Sequence, residues 1–149
     1  PRDWSSDVCS SDLPLRELTR KFADKNTVLF LGRHVGYPVA LEGALKLKEL
    51  AYIHAEGFAG GELKHGPIAL IEEGTPVVAI MPKAGSLLAE KMASNIQEVK
   101  ARGARVIAIA DEQISIAEHT ILIPNSHEFL QADDLIVILL EFAQIVFEC

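Results

Sequence analysis

Three ionisable side chains follow one another at helical spacing in the segment ALEGALKLKEL. Glu42 precedes Lys46 by four residues, and Glu49 follows Lys46 by three. Because residues three and four apart lie on the same face of an α-helix, this spacing places a lysine between two carboxylates. Such a face can be a solvated ion pair worth about 0.3 to 0.5 kcal/mol, or it can hold a carboxylate that moves protons beside an ammonium group. The spacing alone leaves both interpretations open.

A second group of ionisable residues stands at a predicted break in the chain. In GGELKHGP, Gly66 and Pro67 interrupt any continuous helix, and Pro67 suits the first turn of a new one. His65 therefore lies at a turn, where its imidazole can reach a partner and transfer a proton near neutral pH. The alternative is a surface histidine with no chemical role.

The elements that must position these residues alternate between short apolar runs and helical patterns. The runs TVLFLG, TPVVAIM, RVIAIAD and TILIP lack the polar alternation of a half-exposed strand, and helical patterns cover residues 37–52, 86–102 and 132–148. This order predicts an α/β fold with a doubly wound parallel sheet, whose ligands bind beyond the carboxyl ends of the strands. Since the first helix starts where the first strand ends, we expect its first two or three turns to border that crevice.

Composition restricts the function. The formal charge of -7 argues against a surface for nucleic acid or anionic membrane, since both require clustered Lys and Arg. No apolar run is long enough to span a bilayer, and the loop after Gly32 contains neither G-x-G-x-x-G nor a Walker lysine. Cys9 and Cys149 are too few for a disulfide framework or a cysteine metal site. We expect a cytoplasmic protein that binds a small neutral or anionic ligand, with no cofactor and no metal.

The two ends of the chain differ from the part between them. Residues 1–13, PRDWSSDVCSSDL, are polar and resemble the translation of a sequencing adapter, so we interpret them as an artefact or a disordered arm and expect one domain over residues 14–149. The last helical pattern is apolar on almost every side and stops at Cys149 without a cap, which indicates a truncated C-terminus. We expect this helix to be buried both in the core and against a partner, and therefore expect a homodimer.

The chain resembles a known family over most of its length after residue 13. The stretch Leu29 to Pro82, which contains ALEGALKLKE and HAEGFAGGELKHGP, resembles the second sugar isomerase (SIS) half of the glucosamine-6-phosphate synthases, the isomerising glutamine:fructose-6-phosphate aminotransferases. The resemblance continues through SNIQEVKARGARVIAIAD, Ser94 to Asp111. It implies a three-layer αβα sandwich with a parallel, flavodoxin-like sheet.

The resemblance also implies roles for the candidate residues. In this family, ammonia from glutamine joins fructose 6-phosphate, and the imine is isomerised to glucosamine 6-phosphate. Glu49 matches the base that moves a proton between C1 and C2, and Lys46 matches a lysine near the reacting carbons. His65 matches a histidine that assists ring opening and is supplied by the neighbouring subunit of a homodimer. We expect Glu42 and Lys64 to contact the substrate.

Parts of the family's enzyme are expected to lie outside this chain. The glutaminase domain, the first SIS half and a lysine-bearing C-terminal tail have no counterpart in it, and residues 128–149 depart from the family pattern, so we expect the chain alone to be inactive. The alternatives are SIS-type glucosamine-6-phosphate deaminases and fructosamine-phosphate deglycases, which carry a similar E-x-x-HGP turn, and a non-catalytic SIS module that binds sugar phosphate for regulation. The set of Glu49, Lys46 and His65 argues against the last of these.

Overall fold

The computed structural model of the protein describes residues 26–123 and, in a C-terminal helical segment, residues 136, 138–141 and 143–144. Residues 1–13 and most of the predicted helix 132–148 lie outside the described residues. In chain order, the elements are β1 (Thr27–Gly32), α1 (Gly36–Ala51), β2 (His54–Ala59), two short 3-10 turns (Leu63–His65 and Pro67–Leu70), β3 (Pro76–Ile80), α2 (Leu87–Ala101), β4 (Arg105–Ala110) and β5 (His119–Leu122).

The five strands form one parallel sheet in the order β2-β1-β3-β4-β5. This is the flavodoxin-like order of a doubly wound sheet, in which the direction of winding reverses between β1 and β3. The predicted fold class is confirmed. The four predicted strands, β1, β3, β4 and β5, and the first two predicted helices agree with the structure to within two residues at each end.

Helices cover both faces of the sheet. Successive residues of a strand therefore pack in two different apolar layers. Phe30 packs in the layer that contains Leu47 of α1, whereas its neighbour Leu31 packs in the layer that contains Met92 of α2. The continuous apolar runs in the sequence therefore reflect strands buried on both faces. Leu139, in the C-terminal helical segment, is buried in the α1 layer, as predicted for the core side of that helix. No described helix is long and apolar enough to cross a membrane.

β2 is a strand that the sequence pattern did not predict. Its sequence HAEGFA contains no β-branched residue, and Ala55 is its only buried residue, because the strand forms one edge of the sheet. Unlike β5 at the other edge, this strand lacks the continuous apolar run on which the strand predictions depended. Gly57 brings this edge close to α1, since a Cβ there would stand 3.0 Å from the carbonyl oxygen of Ala40.

Candidate functional site

The predicted charged face of α1 exists, and its three side chains touch. Lys46 Nζ donates a hydrogen bond of 2.9 Å to Glu49 Oε2 and lies 3.4 Å from Glu42 Oε1. These residues point outward because the other face of α1, which includes Ala44 and Leu47, is buried against the sheet. We call Glu42, Lys46 and Glu49 the α1 cluster.

The α1 cluster fixes the charge of its lysine. The pKa of Lys46 is raised above its usual value of 10.5, chiefly by the hydrogen bond to Glu49 and next by the contact with Glu42. Lys46 is therefore an ammonium ion at neutral pH and supplies positive charge and N–H donors, whereas Glu49, with a side chain 50% exposed, remains accessible to a substrate. The cluster can perform acid–base chemistry. Among the described residues, no three His, Cys, Asp or Glu side chains converge as metal ligands would.

The α1 cluster lies farther from the carboxyl ends of the strands than the sequence suggested. Lys46 and Glu49 stand about 15 and 20 Å along the axis of α1 from its start at Gly36. Because α1 connects the parallel strands β1 and β2, it runs antiparallel to them, back toward the end of the sheet at which both strands begin. The crevice expected beside the first two or three turns of α1 therefore does not extend to Glu49, which lies in the fourth turn.

His65 ends the first 3-10 turn, at the break that the sequence predicted. Gly66 follows with a φ of 144°, which favours glycine, and Pro67 begins the second 3-10 turn. The imidazole Nδ1 of His65 lies 2.8 Å from Glu62 Oε2, and the two side chains are 69% and 67% exposed. When Nδ1 carries the proton and donates a hydrogen bond to Glu62 Oε2, Nε2 of the neutral ring holds the lone pair that can accept a proton.

The structure does not bring His65 and Glu49 together within one chain. Glu49 lies near the end of α1, before β2 begins at His54, whereas His65 follows the opposite end of β2 at Ala59. The strand between them spans about 17 Å. His65 and Glu49 therefore lie at opposite ends of β2.

Lys64 points into a different site from the α1 cluster. Its Nζ lies 2.8 Å from Glu98 Oε1 of α2. The two residues belong to a cleft of about 300 Å³, which we call the Arg33 cleft. Its lining residues are Arg33, Gly60, Gly61, Lys64, Glu90, Lys91, Ser94, Asn95 and Glu98.

A buried amide fixes the arginine of this cleft. Asn95 is 4% exposed, and its Oδ1 accepts hydrogen bonds from Nε and Nη2 of Arg33 at 3.0 and 2.9 Å. Gly60 is required beside this pair, because a Cβ there would lie 2.8 Å from Asn95 Oδ1. The guanidinium group is thus held just after the carboxyl end of β1 by Asn95 of α2.

Comparison with known proteins assigns the fold to a family. A family model described as SIS domain matches residues 21–140. The chain belongs to the SIS domain family. The resemblance based on its ALEGALKLKE and GELKHGP segments is thereby confirmed.

Two curated relatives of this chain carry the same name. The isomerizing glutamine–fructose-6-phosphate aminotransferase of Streptomyces coelicolor is 63% identical over 124 residues, which cover 79% of this SIS chain and 20% of that protein. The Mycobacterium tuberculosis protein of the same name is 57% identical over 135 residues, covering 87% and 22%. The solved C-terminal domain of glucosamine-fructose-6-phosphate aminotransferase from Francisella tularensis superposes with a TM-score of 0.79 at 35% identity, covering 94% of this chain and 41% of that one. This SIS chain spans about a fifth of the length of these curated relatives.

Two polar residues of the SIS chain, Arg33 and Asn95, were missed by the sequence analysis. Arg33 directly follows β1, at the edge of the sheet where ligands of doubly wound folds bind, and this position was the available signal. Asn95 gave no comparable signal. Its contact with Arg33 joins residues 62 positions apart, so no local spacing reveals it.

Proposed function

We propose that this SIS chain belongs to a cytoplasmic glutamine–fructose-6-phosphate aminotransferase and supplies proton-transfer residues for isomerisation of the sugar phosphate. The observation that carries the proposal is the 63% identity with the Streptomyces coelicolor protein of that name over 124 residues. Because the chain spans about a fifth of that protein, the complete reaction requires a longer enzyme. That enzyme would contain a glutaminase domain and a first SIS half in the same polypeptide.

Glu49 is the proposed base of the isomerisation. Converting a ketose imine into an amino aldose requires a group that removes a proton from one of the carbons C1 and C2 and returns it to the other. Glu49 is an accessible carboxylate, and the ammonium group of Lys46 lies 2.9 Å from it. Lys46 would stabilise the negative charge that develops on the sugar as the proton leaves. Glu42, which contacts Lys46, is kept as a proposed substrate contact. Lys64 is kept as one too, but because it precedes His65 on the same turn it would reach the substrate in a partner subunit's site, as proposed for His65 below.

We propose further that His65 serves the active site of a partner subunit. The topology supports this assignment, because β2 separates His65 from Glu49 of the same chain by about 17 Å. A histidine on an exposed turn can enter the site of a second subunit, and its hydrogen bond to Glu62 would hold the ring in one tautomer there. A homodimer would then contain two shared sites.

Replacing the proposed base tests this function. In the full-length enzyme, Glu49→Gln should slow exchange of the sugar C1 and C2 protons with solvent by about 10² to 10⁴-fold, the usual contribution of a general base. Its dissociation constant for fructose 6-phosphate should stay within about threefold of the wild-type value, since the amide keeps the shape of the side chain. Glu112→Gln removes the same charge from an exposed residue outside the α1 cluster and should leave exchange unchanged. Normal exchange in Glu49→Gln would remove Glu49 from this role.

A further inference from the structure

One side of α2 carries a polar stripe that packing does not explain. Lys91, Ser94, Asn95 and Glu98 all line the Arg33 cleft, and their spacing of three, one and three residues places them on one face of the helix. Next to this stripe, Met92, Ile96 and Val99 are buried in the core. The apolar face anchors the helix. Within the stripe, Asn95 already holds Arg33 and one oxygen of Glu98 pairs with Lys64, which leaves Lys91, Ser94 and the second oxygen of Glu98 for binding.

The positive charge in the Arg33 cleft is only partly balanced by the protein, because three cations, Arg33, Lys64 and Lys91, line it together with two carboxylates, Glu90 and Glu98. Arg33 is held by the neutral amide oxygen of Asn95, and no carboxylate of the described residues lies within ion-pair distance of its guanidinium group or of the Lys91 ammonium. The third cation, Lys64, is paired with Glu98. A fixed guanidinium with unused donors is the arrangement that binds oxyanions in proteins.

The cleft also leaves room beside those donors. Nη1 of Arg33 makes no hydrogen bond to any described residue, and it lies 3.7 Å from the position that a Cβ of Gly61 would occupy. The absence of side chains at Gly60 and Gly61 keeps this approach open. The volume of about 300 Å³ is at the lower end of the range for small-molecule sites, about 300 to 1,000 Å³.

We propose that the Arg33 cleft binds a small organic anion, with its phosphate or carboxylate group on Arg33 Nη1, the Lys91 ammonium and the Ser94 hydroxyl. Glu98 would recognise the rest of the ligand. Its Oε2 is buried and accepts no hydrogen bond from the described residues, and rotation of the carboxylate would present an oxygen to a hydroxyl or amino group of that ligand. The ligand is therefore a hydroxylated or amino-substituted oxyanion.

This site is separate from the α1 cluster and does not depend on the proposed function. The residues that anchor α1 pack on one face of the sheet, and those that anchor α2 pack on the other. A ligand in the Arg33 cleft therefore cannot touch Glu49 of the same chain. Binding in the cleft and proton transfer by Glu49 can each fail without the other.

Inorganic phosphate and acetate serve as the two probes. The ¹⁵N-labelled protein is titrated with each at constant ionic strength, and the amide resonances of Gly60, Gly61 and Gly43 are followed by NMR. We expect saturable shifts at Gly60 and Gly61 and none at Gly43, which lies in the α1 layer. A lower dissociation constant for phosphate identifies a phosphate ester as the ligand class, and a lower dissociation constant for acetate identifies a carboxylate. Shifts that do not saturate with either probe, or that are equal at Gly43, would overturn the proposal.

Charge variants distinguish a specific anion-binding site from a general attraction of anions to the protein. Lys91→Gln should weaken binding of the preferred probe by about tenfold, the effect of losing one charged hydrogen bond. Lys48→Gln removes the same charge from an exposed position in the last turn of α1 and should have no effect. Arg33→Lys should also weaken binding, because it keeps the charge but loses the planar fork. Equal weakening by Lys91→Gln and Lys48→Gln would show that the protein attracts anions only through its overall field.

Discussion

At the residue scale, the ionisation of Lys46 is expected to depend on the two carboxylates of the α1 cluster, Glu49 and Glu42. Glu49→Gln should lower the pKa of Lys46 toward 10.5, and Glu42→Gln should lower it less, because the 2.9 Å hydrogen bond to Glu49 is the larger cause of the shift. An NMR titration of ¹³C-labelled lysine side chains measures both effects. Since the folded-state pKa is raised, the stability that Lys46 adds is present below about 10.5 and is lost as the pH rises through the raised value.

A matched variant tests whether the effect is local. Glu72→Gln removes an exposed carboxylate that follows the second 3-10 turn, away from α1, and should leave the pKa of Lys46 unchanged. If Glu49→Gln also left it unchanged, the hydrogen bond between Lys46 and Glu49 would not persist in solution.

At the element scale, the turn that presents His65 depends on one backbone conformation. Gly66 has a φ of 144°, and no atom lies within 4 Å of the position of an added Cβ, so Gly66→Ala should destabilise the fold through backbone strain alone, by about 1 to 3 kcal/mol. Gly61→Ala is the control, because its Cβ would make an ordinary contact of 3.7 Å with Arg33. It should change stability by less than about 0.5 kcal/mol. Urea denaturation measures both, and equal losses would contradict a role for the Gly66 conformation.

The elements that the sequence predicted well are those whose pattern is determined by burial. β1, β3 and β4 are apolar throughout because helices cover both faces, and their runs were recognised on that basis. β2 was not predicted because its sequence HAEGFA has no apolar run, whereas the other edge strand, β5, was predicted from the run TILIP. The residues of the α1 cluster were found from spacing, but their place relative to the strand ends depends on the direction of α1. The contact of Arg33 with Asn95 depends on two elements far apart in sequence, and only the fold brings them together.

At the scale of the whole molecule, one chain separates residues that the proposed reaction needs together. Glu49 lies near the end of the sheet at which β2 begins, and His65 lies beyond the opposite end, where β2 stops. The described fold has no means of closing this gap, because both flanking elements pack on a sheet that is buried on both faces. If His65 and Glu49 serve one reaction, as we propose, their site would combine residues of two copies of the SIS chain.

Mixed dimers of the full-length enzyme test that assembly. A His65→Ala subunit and a Glu49→Gln subunit, each inactive alone, should form heterodimers in which one of the two shared sites contains both native residues. With random pairing, half of the dimers are mixed and half of their sites are intact, so activity should recover to about a quarter of the wild-type value. Mixing two preparations that both carry Glu49→Gln is the control and should restore nothing. Failure of the first mixture to regain activity, with subunit exchange verified by mass, would place His65 and Glu49 in the same subunit's site or remove one of them from the reaction.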